Sequence, residues 1–97
     1  MDPQLLKIRE EIDTIDQQIQ MLLNARAECA LRVAEVKRAE KATSGEVAIY
    51  YRPEREAQIL AAVMERNEGP LPNEEVARIF REIMSGCLAL ERPLAVG

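Results

Sequence analysis

The sequence predicts an all-α protein: one very long helix and two shorter ones, which two copies of the chain assemble into an intertwined homodimeric bundle. Three observations carry this expectation. The 97 residues are 47% hydrophobic but only 3% aromatic, with no Trp, so the core must be built from Leu, Ile, Val, Ala and Met, a mixture that favours helices. Over the first forty residues, positions 5, 8, 12, 15, 19, 22, 26, 29, 33 and 36 recur in alternating steps of three and four on one helical face, and all but 26 are apolar. Gly and Pro, absent from residues 4 to 44, cluster where that periodicity breaks.

Asp2 before Pro3 is a good helix start, because the carboxylate can accept from free N–H groups and Pro gives up a donor that is orphaned anyway. Helix 1 is expected over about residues 3–41. The segment 42–52 carries a Ser-Gly turn signal and reads as a loop. Pro53 opens helix 2, expected to about residue 67, with Ile59, Leu60 and Val63 on one face. Gly69, Pro70 and Pro72 then break the chain, Asn73 is expected to cap, and Glu74 and Glu75 suit the positive end of a third helix over about 73–91.

The whole chain, 1–97, is expected to be one domain, since two cores of this size would each be too small to hold together. A helix of about 39 residues is ~58 Å long, whereas a compact monomer of this length has a radius of gyration of only about 12.5 Å. One copy cannot bury such a seam along its length. A two-fold homodimer follows as the expectation.

Composition also excludes classes of function. A formal charge of -4 without a basic block argues against nucleic acid and anionic membranes as partners. No run approaches a membrane span, and the first residues lack the pattern of a signal peptide, so a cytoplasmic protein is expected. Cys29 and Cys87 are isolated and read as packed, reduced thiols. With no His in the chain, the commonest general base and most catalytic zinc sites are missing. No metal and no cofactor are expected, and chemistry falls to Arg, Lys, Glu, Asp or hydroxyls.

The seam has one fault: position 26, where an apolar residue belongs, is Arg. Arg26 shares a stripe with Ala30, Val33 and Lys37, and the two cations stand about 20° apart in azimuth and ~16.5 Å apart along the axis. Helix 2 repeats the anomaly with Glu56 in line with Ile59, Leu60 and Val63, and helix 3 with Glu91 in line with Phe80, Met84, Cys87 and Leu88. A buried charge costs several kcal/mol unless it is paired. Three explanations stand side by side: a buried salt-bridge network that sets register, a polar cavity for an anion inside a helical bundle, or an Arg26 that snorkels to the surface.

The segments LLKIREEIDTID, NAR (24–26), VAEVK (33–37), YRPEREAQIL (51–60) and IFREIMSGCLALE (79–91) resemble, in order and spacing, the all-α chorismate mutases, above all the amino-terminal mutase domains of bifunctional chorismate mutase/prephenate dehydratases. The resemblance covers nearly the whole chain. It implies an intertwined dimer of three-helix chains that rearranges chorismate to prephenate. Arg26 would bind one substrate carboxylate and Arg9, contributed by the partner subunit, the other. Lys37 would donate to the ether oxygen, Glu56 would accept from the ring hydroxyl with help from the backbone N–H of Arg52, and Glu91 would face the ether oxygen. Arg55 would support the pocket, with Val33, Met84 and Leu88 as apolar walls.

Three departures from the family pattern stand out. Arg52 replaces a frequent Asp, Cys87 replaces a Ser that can contact a carboxylate, and Glu91 stands where some members have Gln. Glu91 would have to be protonated to donate. An isochorismate pyruvate-lyase on the same fold, and a regulatory dimerisation module without catalysis, are the rival readings.

Overall fold

A computed structural model describes the backbone of residues 2–44 and 53–91, and the side chains of 2–39 and 53–91. Its three helices are α1 (Pro3–Ser44), α2 (Pro53–Arg66) and α3 (Asn73–Glu91). The loop expected over 42–52 begins later than its sequence suggests, because nothing before Gly45 breaks a helix and residues 42–44 continue α1. The remainder of that expectation, residues 45–52 with Arg52 among them, lies outside the described residues.

Asp2 caps α1 as its chemistry demands: its Oδ1 accepts from the Gln4 N–H at 2.9 Å and its carbonyl from the Leu6 N–H at 3.1 Å. The turn between α2 and α3 is organised differently from the expectation. α2 stops at Arg66 because Asn67 spends its side chain on the turn, Nδ2 donating to Leu71 O and to Asn73 Oδ1, each at 2.8 Å, while its Oδ1 accepts from the Gly69 N–H at 3.3 Å. Gly69 takes φ +79°, a conformation that L side chains rarely adopt. Asn73 is thereby committed to Asn67, and the Pro72 carbonyl accepts the first N–H groups of α3, those of Glu75 and Val76, at 3.1 Å. Glu75 pairs with Arg78 one turn on at 2.7 Å, and that hydrogen bond holds its carboxyl below the ordinary value.

α3 lies between the other two helices, packing against α1 on one side and α2 on the other. The buried set is small: Ala30 and Ala34 from α1, Val63 from α2, and Ala77, Met84 and Cys87 from α3. Small side chains on α1 let α3 approach closely, and only the carboxyl-terminal half of α1 takes part. Val63, 2% exposed, is the largest fully buried side chain. Val63→Ala should lower unfolding stability by about 2 kcal/mol, two lost methyl groups plus a residual cavity, measurable by urea denaturation. An unchanged midpoint would show that α2 does not depend on that contact.

The fold is far from spherical. Its extents are 63 × 28 × 22 Å and its radius of gyration is 17.9 Å, well above the value of about 12.5 Å for a compact chain of this length. Leu5, Ile8, Ile12, Ile15, Ile19 and Leu22, the amino-terminal stretch of the seam, are all between 41% and 70% exposed. No helix among the described residues is long and apolar enough to cross a membrane.

Candidate active site

α1 and α2, each packed against α3, line with it a half-open cavity of about 440 Å³, within the range of small-molecule sites. α1 contributes Arg26, Cys29, Ala30, Val33 and Lys37; α2 contributes Arg55, Glu56 and Ile59; α3 contributes Met84, Cys87, Leu88 and Glu91. Helical spacing explains the α1 set, since 26, 30, 33 and 37 advance in steps of four, three and four and stay on one face. The same rule places Glu56 one turn before Ile59, and Cys87 one turn before Glu91.

Lys37 Nζ donates to Glu91 Oε1 at 2.8 Å, and the two side chains are only 14% and 16% exposed. This ion pair joins the far end of α1 to the last residue of α3 across 54 positions of sequence. Arg26, Arg55 and Glu56 have no hydrogen-bond or ion-pair partner among the described residues. Arg26 and Glu56 are half-buried and Arg55 is exposed.

The salt-bridge explanation of the seam fault therefore holds for one pair and fails for the rest. A guanidinium that lines an apolar-walled cavity without an anionic partner is chemically able to take an anion. The cavity carries three cationic side chains, Arg26, Lys37 and Arg55, against two carboxylates, Glu56 and Glu91.

Of the residues singled out from sequence, Arg26, Lys37, Arg55, Glu56, Cys87, Glu91 and the walls Val33, Met84 and Leu88 all line this cavity. Arg9 does not. It sits 17 residues before Arg26 on the same helix, about 25 Å away, outside the lining of the cavity. Arg52 lies outside the described residues.

Sequence reasoning missed three wall residues: Cys29, Ala30 and Ile59. Ala30 and Ile59 could have been found from their places on the Arg26 and Glu56 stripes. Cys29 corrects the packed-thiol expectation: it is exposed in the single chain, with Arg32 Nη2 3.1 Å from its sulfur, whereas Cys87 is buried as expected. No group of three or more His, Cys, Asp or Glu capable of holding a metal occurs among the described residues.

Residues 8–92 match the family profile described as chorismate mutase type II. The chain belongs to that family. It is 56% identical over 93 residues to a bifunctional chorismate mutase/prephenate dehydratase of Stutzerimonas stutzeri, an alignment covering 96% of this chain and 25% of the relative. A protein of the same description from Neisseria gonorrhoeae is 49% identical over 96 residues, covering 99% of this chain and 24% of that protein. The chain thus spans about a quarter of the length of the curated relatives it matches.

Among solved structures, a chorismate mutase of Thermus thermophilus superposes with a TM-score of 0.78 at 28% identity, covering 91% of this chain and 93% of the other. The chorismate mutase of Helicobacter pylori in complex with prephenate gives 0.77 at 30% identity, covering 93% and 91%. The all-α fold of this chain is the fold of those mutases.

Proposed function

We propose that this chain catalyses the Claisen rearrangement of chorismate to prephenate as one half of a homodimer, in the cytoplasm and without a cofactor. The observation that carries the reading is the cavity itself: an unpartnered Arg26 faces a Lys37–Glu91 pair across the apolar walls of Val33, Met84 and Leu88. Family membership and the likeness to a mutase in complex with prephenate support it.

The reaction breaks an ether C–O bond while a C–C bond forms. No proton has to move and no nucleophile is needed, so a site without His is adequate. Its work is to hold the substrate's side arm over the ring and to stabilise charge that grows on the ether oxygen. A gain near 10⁶-fold requires about 8 kcal/mol, within reach of several charge-assisted hydrogen bonds in a dry cavity. Arg26 takes one carboxylate and the partner's Arg9 the other. Lys37 turns from Glu91 toward the ether oxygen and the neighbouring carboxylate. Glu56 accepts from the ring hydroxyl. Arg55 supports the pocket, and Cys87 offers a weak donor where a hydroxyl would be stronger.

Glu91 acts on the ether oxygen only when protonated, because a carboxylate has no hydrogen to give. As a carboxylate Glu91 instead holds Lys37 Nζ at 2.8 Å, and Glu91→Gln, whose amide can donate, should keep turnover within about tenfold of wild type; a larger loss in steady-state kinetics would show that the carboxylate is needed to place Lys37.

Incubating the protein with chorismate and, separately, with isochorismate, and identifying products by chromatography, tests the main reading. Prephenate from chorismate is the expected result. Salicylate and pyruvate from isochorismate alone would assign the lyase reaction, and neither product would point to a non-catalytic module. Sharing of the site is read from mixtures: Arg9→Ala and Arg26→Ala chains, each inactive alone, should regain about a quarter of wild-type activity after subunit exchange, since half the dimers are mixed and each holds one intact site. No recovery after verified exchange would confine Arg9 to its own chain.

A further inference from the structure

The end of α2 that enters the cavity has no polar tie of its own. Glu56 lies in the first turn of α2 and has no hydrogen-bond or ion-pair partner among the described residues, and Glu56, Ile59 and Leu60 are only half-buried. Among the described residues α2 packs on α3, and no Cα of α2 comes within 8 Å of one in α1. The α1 and α2 walls of the cavity are therefore related to each other through α3.

α2 is held firmly at its other end. Val63 is 2% exposed, and four residues further on Asn67 organises the connection to α3. Its Nδ2 donates to Leu71 O and to Asn73 Oδ1, each at 2.8 Å, and its Oδ1 accepts from the Gly69 N–H at 3.3 Å. Asn73 is the first residue of α3, so one amide ties the end of one helix to the start of the next.

Leverage makes this tie matter far from where it is made. Val63 and Asn67 are about 6 Å apart along the line of α2, and Glu56 stands about 10.5 Å beyond Val63 in the opposite direction. If Asn67 slips sideways by about 1 Å with Val63 as pivot, Glu56 swings by roughly 1.75 Å. A hydrogen bond near 2.8 Å does not survive a displacement of that size, and misplacing a positioned group by ~1 Å can cost up to about 10²-fold in rate.

We propose that Asn67 is a positioning residue for the reaction: its amide fixes the direction of α2 and so the depth at which Glu56 enters the cavity, about 16.5 Å away. The inference rests on the role of Glu56 in the proposed function and adds to it a residue that touches no substrate. Were Asn67 only a brace for the turn, its loss would lower stability and leave Glu56 where it is.

A double-mutant cycle separates the two roles. Wild type, Asn67→Ala, Glu56→Ala and the double variant are compared by kcat/KM on chorismate, at a temperature where circular dichroism shows all four folded. Asn67→Ala should lower kcat/KM by about tenfold or more in the wild-type background, and by less than about threefold where Glu56 is already gone, because an absent group cannot be misplaced. Equal losses in the two backgrounds, or a loss below about threefold in the first, overturn the proposal. If Asn67→Ala does not fold, Asn67→Asp replaces it, since a carboxylate keeps an acceptor for the Gly69 N–H and loses both Nδ2 donors.

Hydrogen exchange followed by mass spectrometry reads the geometry without reference to the chemistry. In the Asn67 variant the amides of α2 should exchange about tenfold faster, while those of the carboxyl-terminal halves of α1 and α3 keep their rates. Unchanged exchange in α2 overturns the proposal whatever the reaction is. A wild type that makes no prephenate, with α2 loosened in the variant as expected, removes the proposed function instead and supports the tie between Asn67 and α2.

Discussion

Lys37→Ala should lower kcat by at least about 10²–10³-fold while leaving a helical dimer, because in the proposed mechanism it removes the donor to charge that appears only in the transition state, worth roughly 3–4 kcal/mol. The geometry makes the position sensitive for a second reason. Lys37 Nζ and Glu91 Oε1 are 2.8 Å apart in a nearly enclosed corner, so truncation also strands the Glu91 carboxylate without its partner. Arg26→Ala should be comparably damaging, with more of its effect in KM, since a carboxylate is held in the ground state as well as in the transition state. Steady-state kinetics on chorismate, alongside circular dichroism and sedimentation, separate loss of the site from loss of the fold. Turnover within tenfold of wild type in either variant would take that residue out of the chemistry.

Ile19→Glu should do the reverse, destroying the assembly first and activity with it. Ile19 is 48% exposed in the single chain, so a carboxylate there costs the isolated chain little. In the proposed homodimer, which must cover this exposed seam, it would be buried twice per dimer, at several kcal/mol for each unpaired charge. Association should weaken, Kd rising by at least about 10⁴-fold, and the long helix should lose much of its ellipticity where neither face is covered. Sedimentation equilibrium with circular dichroism checks both. A variant that stays dimeric at micromolar concentration would show that the seam is not the interface.

The helices were legible because their signals are local. Pro3 and Pro53 open helices in sequence and in space, and uninterrupted 3.6-residue periodicity carries α1 from one end to the other. The boundaries that moved did so for side-chain reasons that periodicity cannot see. Asn73 has the chemistry of a cap, yet its Oδ1 accepts from Asn67 Nδ2, and the Pro72 carbonyl accepts the first helical N–H bonds. Residues 42–44 join α1 since nothing before Gly45 breaks a helix.

Most of the candidate site was legible too, because a charge on an apolar helical face is conspicuous wherever it falls. Arg26, Lys37, Glu56 and Glu91 could each be picked out by stripe alone. What spacing within a helix left open was which charges are paired. The choice between a salt-bridge network and an anion cavity turns on distances between helices, and those belong to the tertiary structure.

The sequence by itself determined the three helices, the faces they present and the length of α1 that no single copy can cover, since these follow from propensity, periodicity and rise per residue. Only the tertiary structure decided that Lys37 meets Glu91 while Arg26 is left facing open space, and that Cys29, Ala30 and Ile59 join the walls. The reason is physical: a helix fixes its own neighbours at three and four residues, but which side chains of different helices touch depends on how close the backbones come, and here small alanines on α1 set that approach.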